Sequence, residues 1–188
     1  CVLMKHPVLS LLLGAALLAA PAVRADDDDI GGPFSLVDHN GAAVTDRTYL
    51  GRPLLMYFGF TTCPDVCPTD LVRMERIVRR VAALGGPAVT PVLVTIDPER
   101  DTPERMKAYT GAFGRDFVGL TGTPAQIAQV AGEYHVYYRK VPFGDRGHYT
   151  MDHSTFAFLV DRQGRYVDHF GRSADEEQVA RQIVAALE

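Results

Sequence analysis

The chain has 188 residues, 47% of them hydrophobic, with 19 basic side chains against 23 acidic ones and a formal net charge of −4. That length suits one domain with a sizeable core and a short additional segment. The acidic balance speaks against a nucleic-acid binder, whose affinity rests on a basic surface.

Met4-Lys5-His6 form a basic head, Val8 to Ala20 an almost unbroken apolar run, and Val23-Arg24-Ala25 a stretch of small residues suited to processing. The apolar run spans about 13 residues, short of the ~20 that a membrane-spanning helix needs. Residues 1–25 therefore read as an export signal cleaved after Ala25, with an uncleaved anchor as the alternative. No cysteine follows the run at a lipoprotein-type position. Cleavage removes Lys5 and Arg24, leaving 17 basic against 23 acidic residues and a net charge of about −6. With Cys1 set aside because it precedes Met4, the mature thiols are Cys63 and Cys67, and export places them where disulfides form and persist.

Residues 26–30 read as an acidic, solvated segment, and residues 31–188 as the folded domain. Phe34–Val37 alternates as a strand, Asp38-His39-Asn40-Gly41 has turn chemistry, and Ala43–Thr45 returns as a hairpin partner. After Pro53, Leu54–Phe60 is a continuous apolar run of the kind buried on both sides of a sheet, and the cysteines lie just past its end. From Pro68 to Leu84, Leu71, Met74, Ile77, Val78, Val81 and Leu84 recur at helical spacing with Arg73, Arg76, Arg79 and Arg80 outside, and Gly85-Gly86 stops the helix.

Val89–Ile96 predicts a second buried strand, and Thr102-Pro103-Glu104 supplies a cap, a first-turn proline and an acidic dipole partner for the next helix. Phe117–Leu120 is short and strand-like, Thr123-Pro124 starts a helix through Ala131, and Val136–Tyr138 is extended. Beyond a loop rich in glycine and charge, Ser154–Val160 and Arg165–Phe170 form a hairpin across Asp161–Gly164, and Asp175–Leu187 is an amphipathic helix. The sum is an α/β domain of thioredoxin-like arrangement: a mixed central sheet flanked by helices, with an N-terminal hairpin.

Cys63 and Cys67 flank Pro64-Asp65-Val66. Residues four apart share one face of a helical turn, so both sulfurs can point at one atom, or at each other, if the helix begins near Pro64. A helix N-terminus also favours the thiolate, the form that attacks disulfides and ligates soft metals. Thioredoxin-like redox sites place two residues between their cysteines; the third residue here leaves more room for a metal and does not forbid a disulfide. So short a loop restrains little unfolded-chain entropy, which points to chemistry rather than stapling.

Several blocks stand in order along the chain: Gly31-Gly32-Pro33-Phe34 with Asp38-His39-Asn40-Gly41, Phe58-Gly59-Phe60-Thr61 with Cys63-Pro64-Asp65-Val66-Cys67-Pro68, Asp97 to Pro103, Leu120-Thr121-Gly122-Thr123, and Asp152-His153-Ser154. Together they resemble the SCO/SenC family of copper-binding assembly factors for cytochrome c oxidase, over the chain from about Gly31 to its end. The resemblance implies a thioredoxin-like fold and a copper site of Cys63, Cys67 and His153; spacing alone does not find His153. Two thiolates suit Cu(I) and an imidazole suits both copper states, so such a set holds Cu(I) and also Cu(II). The resemblance further implies a periplasmic copper chaperone whose partner is the copper-centre subunit of cytochrome c oxidase, with other periplasmic copper chaperones or thiol reductases as further partners. It implies membrane contact only through an uncleaved leader.

Around the trio, Asp152 stands where a carboxylate can bias the imidazole. Met151, two residues from His153, shares its face if the segment is extended, with packing favoured over ligation. His39, His135, His148 and His169 read as structural, His148 being the nearest accessory candidate, and Met56 and Met74 fit core positions. Asp101, Thr102 and Pro103 are explained by helix initiation, which leaves Asp97 as the carboxylate facing the site.

The alternative function is a thiol:disulfide oxidoreductase acting through Cys63 and Cys67 on an oxidase subunit or another exported protein. Thioredoxin-like reductases place a cis-proline opposite the cysteines, whereas the block expected there, Met151-Asp152-His153, has none, and this favours metal. A peroxiredoxin-type peroxidase fits less well, because the threonine expected three positions before the first cysteine is Phe60.

Overall fold

The computed structural model describes residues 30–144 and 147–188; the export-signal reading and most of the acidic segment lie outside them. The two continuous apolar runs form neighbouring central strands, β3 (Leu54–Gly59), in which every residue is buried, and β4 (Thr90–Thr95). They pair in parallel from Leu54 opposite Thr90 to Gly59 opposite Thr95. Parallel strands need a crossover, which α1 (Val66–Ala83) supplies. β5 (Val118–Thr121) continues the parallel set after α2 (Pro103–Thr110).

Antiparallel strands complete both sides of the sheet. β1 (Ser35–Asp38) and β2 (Ala43–Thr45) form the expected N-terminal hairpin and join through β5. β8 (Phe156–Val160) and β9 (Tyr166–Gly171) form the expected later hairpin and join through β3. The seven strands run in the order β2-β1-β5-β4-β3-β8-β9. Pro91 is tolerated inside β4 because Thr90 directs its N–H to Pro53 on the β3 side, so the missing N–H of Pro91 falls on the other side, where the β5 ladder starts only at Val92.

Helix ends follow the sequence. Thr102 accepts from the Arg105 N–H at the start of α2, Thr123 and Gln126 form a reciprocal capping box on α3 (Pro124–Glu133), and Asp175 accepts from Gln178 on α4 (Glu176–Leu187). The outer arginines of α1 are more than a solvated face. Arg76 and Arg80 pair with Glu176, and Arg73 donates to the Ala174 carbonyl, which ties α1 to α4.

Two features depart from expectation. The segment expected to be extended and then looped is a second, two-stranded ribbon, β6 (Tyr138–Pro142) and β7 (Tyr149–His153), paired from Tyr138 opposite His153 to Pro142 opposite Tyr149. Correspondingly the strand expected from Ser154 starts at Phe156. The ribbon shares no ladder with the main sheet, and charged positions such as Arg139 and Lys140 face solvent, so it leaves no period-2 apolar signal. The helix expected from Pro68, or from Pro64 in the cysteine geometry, starts at Val66. Among the described residues, no helix is long and apolar enough to cross a membrane.

Candidate metal centre

β3 delivers the chain to the carboxyl edge of the sheet, and the loop that follows is pinned there by a buried carboxylate. Asp101, fully buried, accepts from the Thr61 N–H at 3.0 Å, the Thr61 hydroxyl at 2.5 Å and the Thr95 hydroxyl at 2.6 Å. The helix-initiation reading of Asp101 is therefore corrected: Thr102 caps α2, while Asp101 reaches back to hold the turn that carries Cys63.

Because α1 begins at Val66, Cys63 lies before the helix and Cys67 within its first turn. The sulfurs still converge. Asp65, at the N-cap, makes no side-chain capping bond; instead the Cys67 N–H donates to Cys63 Sγ at 3.4 Å, so a sulfur meets one of the first-turn donors that every helix leaves open. Gly59 makes room for the second sulfur: a Cβ at that position would stand 2.9 Å from Tyr57 Cε1 and 3.0 Å from Cys67 Sγ. Beneath this contact, the Tyr57 hydroxyl and Arg172 Nε both donate to the buried Asp70 carboxylate, each at 2.8 Å.

His153 arrives from the last position of β7. Its Nδ1 lies 2.8 Å from the Ser154 carbonyl oxygen, which can only accept, so Nδ1 carries a proton and Nε2 is the nitrogen turned towards the sulfurs. Nε2 stands 3.6 Å from Cys67 Sγ. The ring meets Phe60 and Tyr57 at 5.8 and 6.0 Å, both at an interplanar angle of 85°. Asp152 takes no part in this: it lies on the opposite, exposed face of β7 and pairs with Arg139, so the main chain, not the neighbouring carboxylate, orients the imidazole.

The two thiols differ electrically. Cys63 is held far below the ordinary thiol range, first because Cys67 donates to it, with His153 and the N–H groups of Cys67 and Asp65 adding to this against the opposing effect of burial. Cys67 is pushed up, first by giving that hydrogen bond and then by burial. The helix start thus lowers one thiol, not both, because a single proton is shared between neighbouring sulfurs. Cys63 retains 8% exposure and Cys67 none, and both are free thiols.

The remaining candidates sort out. Met151, Met56 and Met74 are buried in the core. His39 Nδ1 accepts from the Gly119 N–H at 2.9 Å, and His148 is exposed, with its ring stacked 6.0 Å from Phe143 rather than near the sulfurs. Asp97 is buried but faces Arg100 and Tyr149, not the thiols, which corrects the expectation that it lines the site.

Among the described residues, no three or more His, Cys, Asp or Glu groups are spaced as an assembled metal cage; Cys63, Cys67 and His153 are instead linked to one another by hydrogen bonds. The distance between Cys67 Sγ and His153 Nε2 nevertheless fits two donors of one small soft ion. Ligand bonds of ~2.3 Å to sulfur and ~2.0 Å to nitrogen, 120° apart, put those donors about 3.7 Å from each other, close to the 3.6 Å between Cys67 Sγ and His153 Nε2. Two sulfurs and one neutral imidazole form a donor set suited to copper.

The pattern of the SCO1/SenC family matches residues 22–188. The human mitochondrial protein SCO1 homolog is 43% identical over 159 residues, which cover 84% of this chain and 53% of that protein, so the chain spans about half the length of this relative. The structure of Bradyrhizobium japonicum ScoI with copper bound is 44% identical, covers 84% of this chain and 99% of its own, and superposes with a TM-score of 0.75. A more distant structure, BsSco, described as a Sco-family cytochrome c oxidase assembly protein with a disulfide switch, shares the fold at 21% identity and a TM-score of 0.67, covering 85% of this chain and 94% of its own.

Proposed function

Because the chain belongs to the SCO1/SenC family and gathers two thiols and an imidazole at one point, we propose that it carries copper outside the cytoplasm and helps load the copper centre of cytochrome c oxidase. The observation that carries this reading is the approach of His153 Nε2 to Cys67 Sγ at 3.6 Å, with the ring fixed from behind by the Ser154 carbonyl at Nδ1. Cys63, Cys67 and His153 are the ligands. The setting at the carboxyl edge of the sheet is shallow on one side: His153 is half-buried and Cys63 retains slight exposure, while Cys67 is sealed beneath them.

That asymmetry gives a route for handover. Copper is cargo here, held by soft sulfur donors until the thiolates of an acceptor replace them in turn. Exchange begins at Cys63, the sulfur nearer solvent, and ends at Cys67. The acceptor is the copper-centre subunit of the oxidase, the compartment is the periplasm, and other periplasmic copper chaperones or thiol reductases act upstream.

A second reading, thiol:disulfide exchange with an exported partner, is favoured by one observation: a thiolate and a thiol lie in direct contact, so attack by Cys63 followed by resolution through Cys67 needs no distant group. The two readings are compatible, since a partner's cysteines must be reduced before they accept copper.

Anaerobic competition of the reduced protein against a Cu(I) chelator tests the copper reading. One copper should be retained per chain, with loss in Cys63→Ser and His153→Ala and full retention in His39→Ala. Negligible retention by the wild-type protein would make the cysteines a redox pair first, and equal loss in His39→Ala would defeat the ligand assignment.

A further inference from the structure

Two of the three ligands follow directly from the central strand β3, whereas the third ends a ribbon that shares no ladder with the main sheet and joins it through Ser154 and Thr155. Among the described residues β6 and β7 pair only with each other; the main chain ties His153 to the sheet only through Ser154 and Thr155, which lead into β8 beside β3. The far end of the ribbon is left for side chains to hold. Tyr149, Met151 and His153 alternate onto one face of β7, and Tyr149 and His153, four residues apart, stand ~13 Å from each other along the strand.

Tyr149 is gripped on several sides. The Arg100 guanidinium lies over its ring at 3.8 Å, and Arg100 Nη1 donates to the Tyr149 carbonyl at 2.9 Å. The Tyr149 hydroxyl donates to Asp97 Oδ1 at 2.8 Å, and Asp97, buried, forms an ion pair with the same Arg100. On the outer side, Lys140 of β6 lies 4.7 Å from the Tyr149 ring centroid and pairs with Glu99. Arg100 also lies 6.0 Å from the ring of Phe60, which itself abuts His153.

We propose that Asp97, Arg100 and Tyr149 form a clamp that positions the β6–β7 ribbon and thereby sets where the His153 imidazole stands against Cys63 and Cys67. This rests on the reading of His153 as a copper ligand. Arg100 and Asp97 are positioning residues that act through Tyr149 and the strand. The asymmetry of the clamp supports the role: one guanidinium binds a ring face, a backbone carbonyl and a carboxylate at once, a fixed fork that fits one placement of the strand.

The imidazole reports its own position, because it stands perpendicular to the rings of Phe60 and Tyr57 with centroids 5.8 and 6.0 Å away, close enough for their ring currents to shift its carbon-bound protons. The test follows those His153 proton resonances in the reduced full chain without copper, and Cu(I) retention in parallel, for the wild type, Arg100→Gln, Tyr149→Leu and Tyr149→Phe. Arg100→Gln and Tyr149→Leu should lose the ring-current shift and retain copper ~10–100-fold more weakly, the range seen when a residue that orients a metal ligand is removed. Tyr149→Phe, which keeps the stacked ring and the carbonyl bond, should stay near wild type in both. If one of the first two variants does not fold, the other decides. His153 resonances that stay in place in a folded Arg100→Gln or Tyr149→Leu protein, even with lowered stability, overturn the clamp. Displaced resonances in a series whose wild type retains no copper would leave the clamp standing and remove the copper reading.

Discussion

Adding a methyl group at Gly59 should destabilise the protein and disturb the sulfur site together, whereas the same change at Gly132 should stabilise it and leave the site alone. At Gly59 the new Cβ would lie 2.9 Å from Tyr57 Cε1, 3.0 Å from Cys67 Sγ and 3.3 Å from Leu93 Cδ1. Ordinary carbon contacts are ~3.5–4.0 Å, so the neighbours must give way by roughly 0.5–1 Å. None can do so freely: all three are buried, and the Tyr57 hydroxyl is bound to Asp70. Overpacking of this kind costs ~1–3 kcal/mol, against a gain of ~0.5–1 kcal/mol from replacing glycine in a regular element, leaving a net loss of about 1–2 kcal/mol. In a chain of this size that lowers Tm by ~2–8 °C. Gly132 lies in α3 with nothing within 4 Å of its Cβ position, so Gly132→Ala should raise Tm by ~1–4 °C through helix propensity alone. Thermal melts of the reduced proteins, paired with Cu(I) competition, check both arms: Gly59→Ala should also retain copper less well. A Gly59→Ala protein as stable and as retentive as the wild type would refute the account of how β3 accommodates Cys67.

Asp101→Ala should cost about 3 kcal/mol in urea denaturation, because it leaves half-buried donors on Thr61 and the buried hydroxyl of Thr95 without an acceptor; Asp101→Asn, which keeps the shape and one oxygen, should cost less. Alkylation of the reduced protein by iodoacetamide at pH 6, mapped by peptide mass spectrometry, should modify Cys63 before Cys67, since Cys63 is the ionised and less buried thiol; the reverse order would contradict the electrical asymmetry of the pair. Glu176 has its carboxyl below the ordinary value of 4.5, chiefly because Arg76 donates to it. Its contribution is therefore present above pH 4.5 and lost as the pH falls through the depressed value, so the wild type should lose stability more steeply than Glu176→Gln between pH 5 and pH 3.

Most of the sheet was legible because its strands carry local signals. Leu54–Gly59 and Thr90–Thr95 are continuous apolar runs, and Thr102, Thr123 and Asp175 announce their helices by capping chemistry. β6 and β7 were not legible, because a ribbon with exposed Arg139, Lys140 and Asp152 has no apolar period to read. Of the site, the cysteine pair is visible from its own spacing, but His153 lies 86 positions from Cys67 and enters only through resemblance of the Asp152-His153-Ser154 block. Asp101 and Asp97 were misassigned in opposite ways: Asp101 beside a helix start has a sufficient local explanation, and Asp97 was left facing the site by elimination, while nothing local tells that Asp101 turns towards Thr61 or Asp97 towards Tyr149. The start of α1 was displaced because Pro64 and Pro68 are both compatible with a first turn, so proline placement alone does not choose between them.

The oxygen that faces His153 Nδ1 belongs to the main chain of residue 154. Genetic drift at that position can remove the Ser154 hydroxyl, to which the Tyr137 N–H donates, yet every amino acid brings the same carbonyl. The hydrogen bond that turns Nε2 towards the sulfurs is thus shielded from point mutation at its own partner, and a geneticist seeking loss-of-function alleles here should find them at His153 or in whatever bends the backbone, not in the chemistry of side chain 154.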